Sequence, residues 1–285
     1  MNTPRSLLCI DPLPVQRHGD RLATRDIQWS PLTPDLDPFI AVSLYDMTGP
    51  TFPPHPHAGF MVATYIVPES PLGFVNQDSL GTRNRIAPGA LHVTVAGRGV
   101  LHEEQPEASG QPARGFQIWI DLPDEVREMA PQALHLASDA VPRLDLPGAE
   151  VRVVLGESEG VHAPLGLPTA VSLIDVALDA QGSWSHRLPA AHHAFVFVFE
   201  GAVAVNGHRA PAGCVVRTRP DGDLLRFEAA GPGARFTVFA GRPLRQTPLV
   251  HGPFVARDPD QIARFTRDHA RGAFGALVPL SRGRT

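Results

Sequence analysis

Two short pairs of residues carry side chains that could bind a metal ion. His55 and His57 are separated by one residue, and so are His102 and Glu104. Because successive side chains of a β-strand point to opposite faces, the two members of each pair point the same way. If the two strands face each other, all four side chains converge on one point. Three imidazole nitrogens and one carboxylate oxygen suit Fe(II), Mn, Ni, Cu or Zn.

Two further residues could take part in chemistry beside these ligands. Glu103 competes for the carboxylate role, but strand alternation puts Glu104 on the face of His102, so we expect Glu103 to be a solvent-facing charge. His92 is either a hydrogen-bonded histidine near the pocket wall or an acid–base or substrate-binding group. The catalytic candidates are therefore His92 and Glu104, which could accept a proton if its bond to the metal is loose.

The segments that must position these residues have the composition of β-strands. Residues 39–47, 60–67 and 115–123 are rich in β-branched and aromatic side chains, and everything up to residue 123 is β in character. Residues 124–150 are predicted to form a partly helical, proline-rich connection before a second β series begins. Within that second series, Asn206-Gly207 is a hairpin turn signal.

A single helix is predicted near the C-terminal end of the chain. Ile262 and Phe265 recur at helical spacing, and Asp258 stands where an N-cap would be. Pro259 occupies the first helical position, and Gly272 could end the helix. One helix therefore closes an otherwise β protein.

Two successive β units of similar length predict an all-β fold of two barrels or sandwiches. We place the domains at residues 1–133, with the metal site, and 134–285, with the closing helix at about 258–271. His192 and His193 precede an apolar strand without a following H-x-E pair, so we expect no metal in the second domain.

The composition excludes several classes of function. A net charge of −4 provides no basic field, so we expect no direct contact with nucleic acid. There is no apolar run of about 18 residues and no signal-peptide pattern at the start, which argues against a membrane span or secretion. Cys9 and Cys214 lie in apolar contexts typical of free buried thiols. We therefore expect a cytoplasmic protein.

These sequences resemble the pirin family, the two-domain branch of the cupin superfamily. The matching stretches occur in the family's order and extend across both halves of the chain. They are HPHAGF (55–60), APGALHVTVAGRGVLHEE (87–104), GFQIWIDLP (115–123) and FAGRPLRQTPLVHGPFV (239–255). The resemblance implies a bicupin, in which two cupin-type β-barrels are followed by a short C-terminal helix and the N-terminal barrel holds one metal.

The resemblance also implies a ligand set, a metal and two kinds of activity. The family's H-x-H and H-x-E patterns fall on His55, His57, His102 and Glu104, and iron is the usual metal. One activity is an oxygenase that opens quercetin, so the leading hypothesis is an Fe(II)-dependent dioxygenase that uses O₂ on a quercetin-like flavonol or a related aromatic. The alternative is a redox- or metal-sensitive regulatory protein that binds a transcription factor or an enzyme. The family tends toward monomers.

The chain departs from the family pattern at several positions near the ligands. Because these changes surround the ligands and do not replace them, we expect them to affect substrate and activity more than metal binding. Ala58 in place of arginine could widen the pocket, and Met61 in place of glutamate could partly fill it. The remaining departures are Gln77 at a usual histidine, His92 at a usual glutamine, Ala90 and Val93.

Overall fold

The computed structural model describes residues 2–280, and most of them lie in β-strands. Two 3₁₀ helices span Pro34–Leu36 and Ser138–Ala140, and the helix α1 spans Pro259–Ala270. In chain order the strands are β1 (Leu7–Pro12), β2 (Gln16–His18), β3 (Leu22–Gln28), β4 (Phe39–Met47), β5 (His55–His57), β6 (Phe60–Ile66), β7 (Phe74–Asp78), β8 (Arg83–Ile86), β9 (Leu91–Val95), β10 (Val100–Pro106), β11 (Ala113–Asp121), β12 (Gln132–Leu136), β13 (Arg143–Leu146), β14 (Ala149–Leu155), β15 (Glu157–Ser158), β16 (Val161–His162), β17 (Val171–Asp179), β18 (Ser183–Arg187), β19 (His193–Val205), β20 (His208–Pro211), β21 (Cys214–Thr218), β22 (Leu224–Gly241), β23 (Leu249–His251) and β24 (Phe254–Ala256). The predicted all-β fold is confirmed.

The chain forms two compact units whose segments alternate along the sequence. The metal-site unit, named for the four predicted ligands that it contains, comprises residues 15–27, 39–140 and 245–280. The apolar unit comprises residues 2–14, 28–38 and 141–244. The closing helix, predicted to belong to the second domain, groups with the metal-site unit. The predicted division into 1–133 and 134–285 itself stays a prediction.

The metal-site unit contains two main sheets. The larger has seven strands in the order β12-β9-β6-β11-β4-β3-β2, and the smaller has four in the order β5-β10-β7-β8. Both sheets contribute polar side chains to their shared interior, where Thr64 of β6 donates a hydrogen bond to Glu104 of β10. At one end the interior is apolar, with Tyr45 stacked on Phe74 at 5.3 Å between ring centroids.

The apolar unit is built on a nine-stranded sheet around one hydrophobic core. Its main path is β1-β21-β19-β22-β17-β14-β13, with β18 added to β22 and β20 to β19. Inward-facing Val176, Val198 and Phe236 are fully buried in this core. The predicted hairpin turn is confirmed, since Val205 pairs with His208 across a turn in which Asn206 and Gly207 have positive φ angles.

Helix α1 begins and ends where the sequence predicts. Asp258 is the N-cap and accepts a 2.7 Å hydrogen bond from the Gln261 backbone N–H, and Pro259 is the first helical residue. Gly272 adopts a φ of +78° just beyond the helix. Phe265 is buried against Phe254 and Ala58, which attaches the helix beside the first histidine pair. Within residues 2–280, no helix is long and apolar enough to cross a membrane.

The prediction of a partly helical connection at residues 124–150 is wrong in its helical part. This segment contains strands β12 and β13, turns and a single 3₁₀ turn. The sequence of this segment predicted part of a helix, but long-range strand pairing decided the outcome. Strand β12 adds to β9, with Leu134 opposite Val93, and β13 adds to β14.

A buried arginine fixes the chain directly after the first histidine pair. Arg127 has no exposed side-chain surface and donates to the Asp121 carboxylate at 2.6 Å, to Asp124 at 2.9 Å and to the Gly59 carbonyl at 2.9 Å. Gly59 has a φ of +86°, and a Cβ at this position would overlap the Val255 carbonyl oxygen. Two independent contacts therefore hold the turn between β5 and β6.

Replacing Arg127 with leucine should lower the free energy of unfolding by about 3–5 kcal/mol, because the buried Asp121 carboxylate loses the cation that it faces. The matched control is Arg264→Leu, since Arg264 pairs with Glu128 at 2.7 Å with both side chains more than a third exposed. The control should lose only about 0–1 kcal/mol. Urea unfolding of both variants measures the difference, and equal losses would contradict this role for Arg127.

Candidate metal centre

Three histidines meet where strands β5 and β10 pair. The antiparallel register places His102 opposite His55 and Val100 opposite His57. One ligand atom from each of the three histidines lies within 4.8 Å of the other two. The ring centroids are almost equally spaced, at 4.6 Å, 4.7 Å and 4.8 Å. The predicted convergence of His55, His57 and His102 is therefore present, and its basis is strand alternation.

The hydrogen bonding of His55 prepares it to bind a metal. Its Nδ1 lies 2.9 Å from the Pro53 carbonyl oxygen, which can only accept, so Nδ1 carries the proton and Nε2 carries the lone pair. The Nε2 atoms of His55 and His102 are 3.1 Å apart. Two nitrogens that each lie about 2.0–2.1 Å from one ion are separated by about 3.0–3.4 Å, so this spacing fits a shared metal ion. A backbone carbonyl that fixes the distal nitrogen is typical of metal-binding histidines.

Burial keeps the three imidazoles uncharged, as metal ligands must be. It lowers the pKa of His57 to about 3, with a further decrease from neighbouring His55. Burial also lowers the pKa of His55 and brings that of His102 well below its ordinary value. Because desolvation disfavours the cationic form, the rings present lone pairs at neutral pH.

Glu104 lies two residues after His102 on the same face of β10, yet its carboxylate is outside the three-histidine cluster. It is buried and accepts a 2.7 Å hydrogen bond from the Thr64 hydroxyl. Burial raises the pKa of Glu104 to about 7, and the hydrogen bond from Thr64 opposes the shift. Its role as a fourth ligand stays a prediction.

The hydrogen bonds around Glu104 have a fixed direction. Gln117 Nε2 donates to Thr64 Oγ1 at 3.0 Å, so the single Thr64 hydroxyl proton is left to donate to Glu104 Oε2. Apart from the phenol of Tyr65, Thr64 is the one polar side chain in the apolar strand FMVATYI, a signal that sequence reasoning did not use. These two hydrogen bonds hold Oε2 of Glu104 and leave its Oε1 for a metal ion or a proton.

Glu103 is not the solvent-facing charge that we expected. Its side chain is 1% exposed and accepts hydrogen bonds from Gln77 Nε2 at 2.9 Å, from Gln105 and from the Leu280 backbone N–H at 2.7 Å. Gln77 Nε2 also donates to the Val278 carbonyl. Alternation placed Glu103 on the outer face correctly, but a segment near the C-terminal end covers that face.

Aromatic side chains surround the histidines on the side that reaches solvent. The Trp119 ring is 5.7 Å from His57 and only partly buried, and Phe52 is 6.1 Å from His55 and 48% exposed. Three side chains on the inner face of the seven-stranded sheet are partly exposed. They are Trp119 and Gln117 of β11 and Ser43 of β4, which lies opposite Gln117. The three-histidine cluster therefore lies beside an accessible, partly aromatic wall.

The departures from the family pattern differ in which face they occupy. Met61 alternates with Thr64 on β6 and therefore lies on the opposite face, and Ala58 packs against Phe254, so neither lines the wall beside the histidines. The expectation that they reshape the pocket is wrong for this reason.

His92, in contrast, lies on the interior face, where it pairs with Thr64 across β9 and β6. Burial lowers the pKa of His92 to about 4, with a smaller effect from His135.

Comparison with known proteins agrees with this architecture. The family model described as Pirin matches residues 24–120, and the model described as Pirin C-terminal cupin domain matches residues 173–275. Human Pirin is 30% identical over 243 residues, which cover 82% of this chain and 81% of that protein. A Pseudomonas aeruginosa protein provisionally named quercetin 2,3-dioxygenase is 33% identical over 253 residues, covering 83% and 86%.

Solved structures show the same fold. Quercetin 2,3-dioxygenase from Acinetobacter baumannii has a TM-score of 0.87 at 25% identity, covering 97% of this chain and all of that one. The bacterial pirin YhhW from Escherichia coli, in complex with nickel(II), has a TM-score of 0.64 at 18% identity, covering 82% of this chain and all of that one. The bicupin fold implied by the sequence resemblance is confirmed.

The His55→Ala variant should lose metal because one of three converging imidazoles is removed. His55 is the least buried of the three, so the variant should still fold. After loading with Zn(II) and dialysis, the native protein should hold about one ion per chain, and the variant should bind at least about 100-fold more weakly. The control His251→Ala changes an exposed histidine of the same unit and should bind like the native protein. Undiminished zinc in His55→Ala would contradict the site.

Zinc affinity should respond to pH through Glu104 and not through the histidines. Burial lowers the pKa of His57 to about 3 and that of His102 well below its ordinary value, so protons compete little for their nitrogens as the pH falls below 7, and burial shifts the pKa of His55 in the same direction. Glu104, whose pKa is raised to about 7, gains a proton in that range and loses the negative charge that favours a cation.

Between about pH 7 and pH 5.5, we expect zinc affinity to fall about tenfold in the native protein and less than about threefold in Glu104→Gln. Competition with a chelator measures both affinities. Equal decreases in the two proteins would mean that the histidines take up the protons.

Proposed function

Because the chain belongs to the pirin family, we propose that it is an Fe(II)-dependent dioxygenase that acts on a quercetin-like flavonol or a related aromatic. The observation that supports this most strongly is the combination of three converging neutral imidazoles with a buried carboxyl group on the same strand face. Relatives named as quercetin dioxygenases support the choice of substrate class. The proposal is for a catalyst with a small aromatic substrate.

The residues that would hold iron are His55, His57 and His102, with Glu104 as the fourth ligand. When bound, iron supplies Lewis-acid activation of a phenolic hydroxyl and electron exchange with O₂. A site of three neutral nitrogens and one carboxylate leaves the divalent ion with net positive charge. An ionised phenolic oxygen would therefore be attracted to the site.

Glu104 is suited to accept the proton of a substrate hydroxyl. A general base works best when its pKa lies near the working pH, and burial raises the pKa of Glu104 to about 7. Thr64 holds Oε2, so Oε1 is the oxygen that would bind the metal or, when that bond is loose, take the proton. His92, with its lowered pKa, is the second catalytic candidate and would act as a neutral hydrogen-bonding group at neutral pH.

The wall beside the histidines favours catalysis over regulation alone. Trp119 is partly exposed and offers a flat face next to His57, and exposed Phe52 stands next to His55. Aromatic rings prefer offset or tilted packing against other rings, so a planar flavonol could pack here. Gln117 and Ser43 offer hydrogen bonds to its polar groups.

Oxygen uptake tests the proposal. Protein loaded with Fe(II) without oxygen should consume about one O₂ per quercetin after mixing, and His57→Ala and His102→Ala should lose at least about 100-fold in rate because the iron is not held. His251→Ala is the matched control and should keep the native rate. An oxygen electrode and the loss of quercetin absorbance measure the reaction.

One iron per chain without oxygen uptake, on quercetin and on other flavonols, would contradict the dioxygenase proposal. It would leave metal binding in place and favour the alternative, a metal-sensitive regulatory protein with a protein partner. Failure to bind iron at all would remove both proposals.

A further inference from the structure

A layer of polar side chains crosses the interior of the metal-site unit next to the histidine cluster. Each sheet contributes one row of residues that are directly opposite in register. On the seven-stranded sheet the row is His135, His92, Thr64 and Gln117, and on the four-stranded sheet it is Glu104, Asn76 and Asn84. Glu104 follows His102 on the same strand face, so the layer begins beside the metal ligands.

The two rows face each other, because hydrogen bonds join them at both ends. Thr64 donates to Glu104 at 2.7 Å at one end, and Asn84 Nδ2 lies 3.1 Å from His135 Nδ1 at the other. In one row, Asn76 lies between Glu104 and Asn84. In the other row, His92 lies between Thr64 and His135. These two side chains therefore oppose each other in the middle of the layer.

The central pair has polar atoms that the rest of the described chain does not satisfy. Asn76 is fully buried and donates through Nδ2 to Asn84 Oδ1 at 2.8 Å, but its Oδ1 has no hydrogen-bond partner among residues 2–280. His92 is 1% exposed, and neither ring nitrogen has a partner in the same range. Buried polar atoms in native proteins are nearly always hydrogen-bonded to protein, water or ligand.

The donor and acceptor pattern of this pair defines the ligand that it would take. His92 is neutral at pH 7, since burial lowers its pKa to about 4, so one ring nitrogen donates and the other accepts. Asn76 Oδ1 only accepts. A hydroxyl group matches both, because its oxygen accepts from His92 and its proton is donated to Asn76. An anion would meet the Asn76 oxygen and the nearby Glu104 carboxyl group, so it does not fit.

We propose that Asn76 and His92 form a hydroxyl-binding site, which takes a water molecule or a phenolic hydroxyl of an aromatic ligand. The phenolic source rests on the function proposed above, whereas the water does not. If the ligand is a flavonol, the site would recognise the positions of the hydroxyl groups on the ring that lies beyond the histidines. His92 stands where the family usually has glutamine, which also offers a donor and an acceptor, so the imidazole differs from the usual side chain in shape and not in hydrogen-bonding pattern.

A crystal structure of the native protein tests the site directly. The expected result is a water oxygen about 2.7–3.2 Å from both Asn76 Oδ1 and one His92 ring nitrogen. A direct hydrogen bond between the two side chains, with no water between them, would overturn the proposal.

Calorimetry distinguishes the two sources of the hydroxyl. Catechol and toluene are titrated into the Zn(II)-loaded native protein, His92→Leu, His92→Gln and the control His251→Gln. In His92→Leu we expect catechol affinity to fall about tenfold, with most of it restored in His92→Gln, which again offers a donor and an acceptor. Toluene affinity should stay the same throughout. Zinc content and near-ultraviolet circular dichroism check that each variant is folded.

Unchanged catechol affinity in His92→Leu, with the water present in the crystal, supports the site with water as its ligand. A parallel loss of catechol and toluene affinity would mean altered packing and would overturn the proposal. His92-dependent catechol binding without oxygen uptake would support the site while the dioxygenase proposal fails. Oxygen uptake with neither the water nor His92-dependent binding would overturn the site alone.

Discussion

Polar side chains inside a β-barrel need partners, and the metal-site unit depends on how this requirement is met. Burial holds three imidazoles neutral and raises the pKa of Glu104 to about 7, because isolated charges are costly away from water. Thr64, whose hydroxyl oxygen accepts from Gln117, donates to one oxygen of Glu104. The lone pairs that converge at the three histidines suit a cation, and a divalent metal ion bound there would supply it. The same burial that constrains the fold therefore leaves these nitrogens free of protons and ready to act as ligands.

Strand β10 is held on both faces, which fixes the candidate metal ligands that it carries. Its inner face presents His102 and Glu104, and its outer face presents Glu103, which accepts from Gln77 and from the Leu280 backbone. A ligand set keeps its geometry when the elements beneath it are rigid. Glu103 is thus a structural carboxylate that attaches a segment near the C-terminal end to the back of the ligand strand, and Arg127 serves the other ligand strand in a similar way.

The positions at which the chain departs from the family pattern lie on different faces of their strands. Ala58 and Met61 lie away from the interior wall, whereas His92 lies within the polar layer opposite Asn76. A resemblance in sequence identifies candidate ligands, but it does not say which substitutions face the site. Of these departures, His92 is the one that presents a neutral donor and acceptor to this interior, and it is where we place contact with a hydroxyl group.

The sequence by itself determined the features that depend on neighbouring residues. An i, i+2 spacing on a strand puts His55 with His57 and His102 with Glu104 on one face because alternation is a local property, and the Asp258 cap and the Asn206-Gly207 turn are local for the same reason. Only the tertiary structure decided what covers each face. Glu103 is buried by residues far along the chain, and segment 124–150 became strand through pairing with distant partners. Such contacts depend on which distant segments meet, and strand alternation carries no information about that.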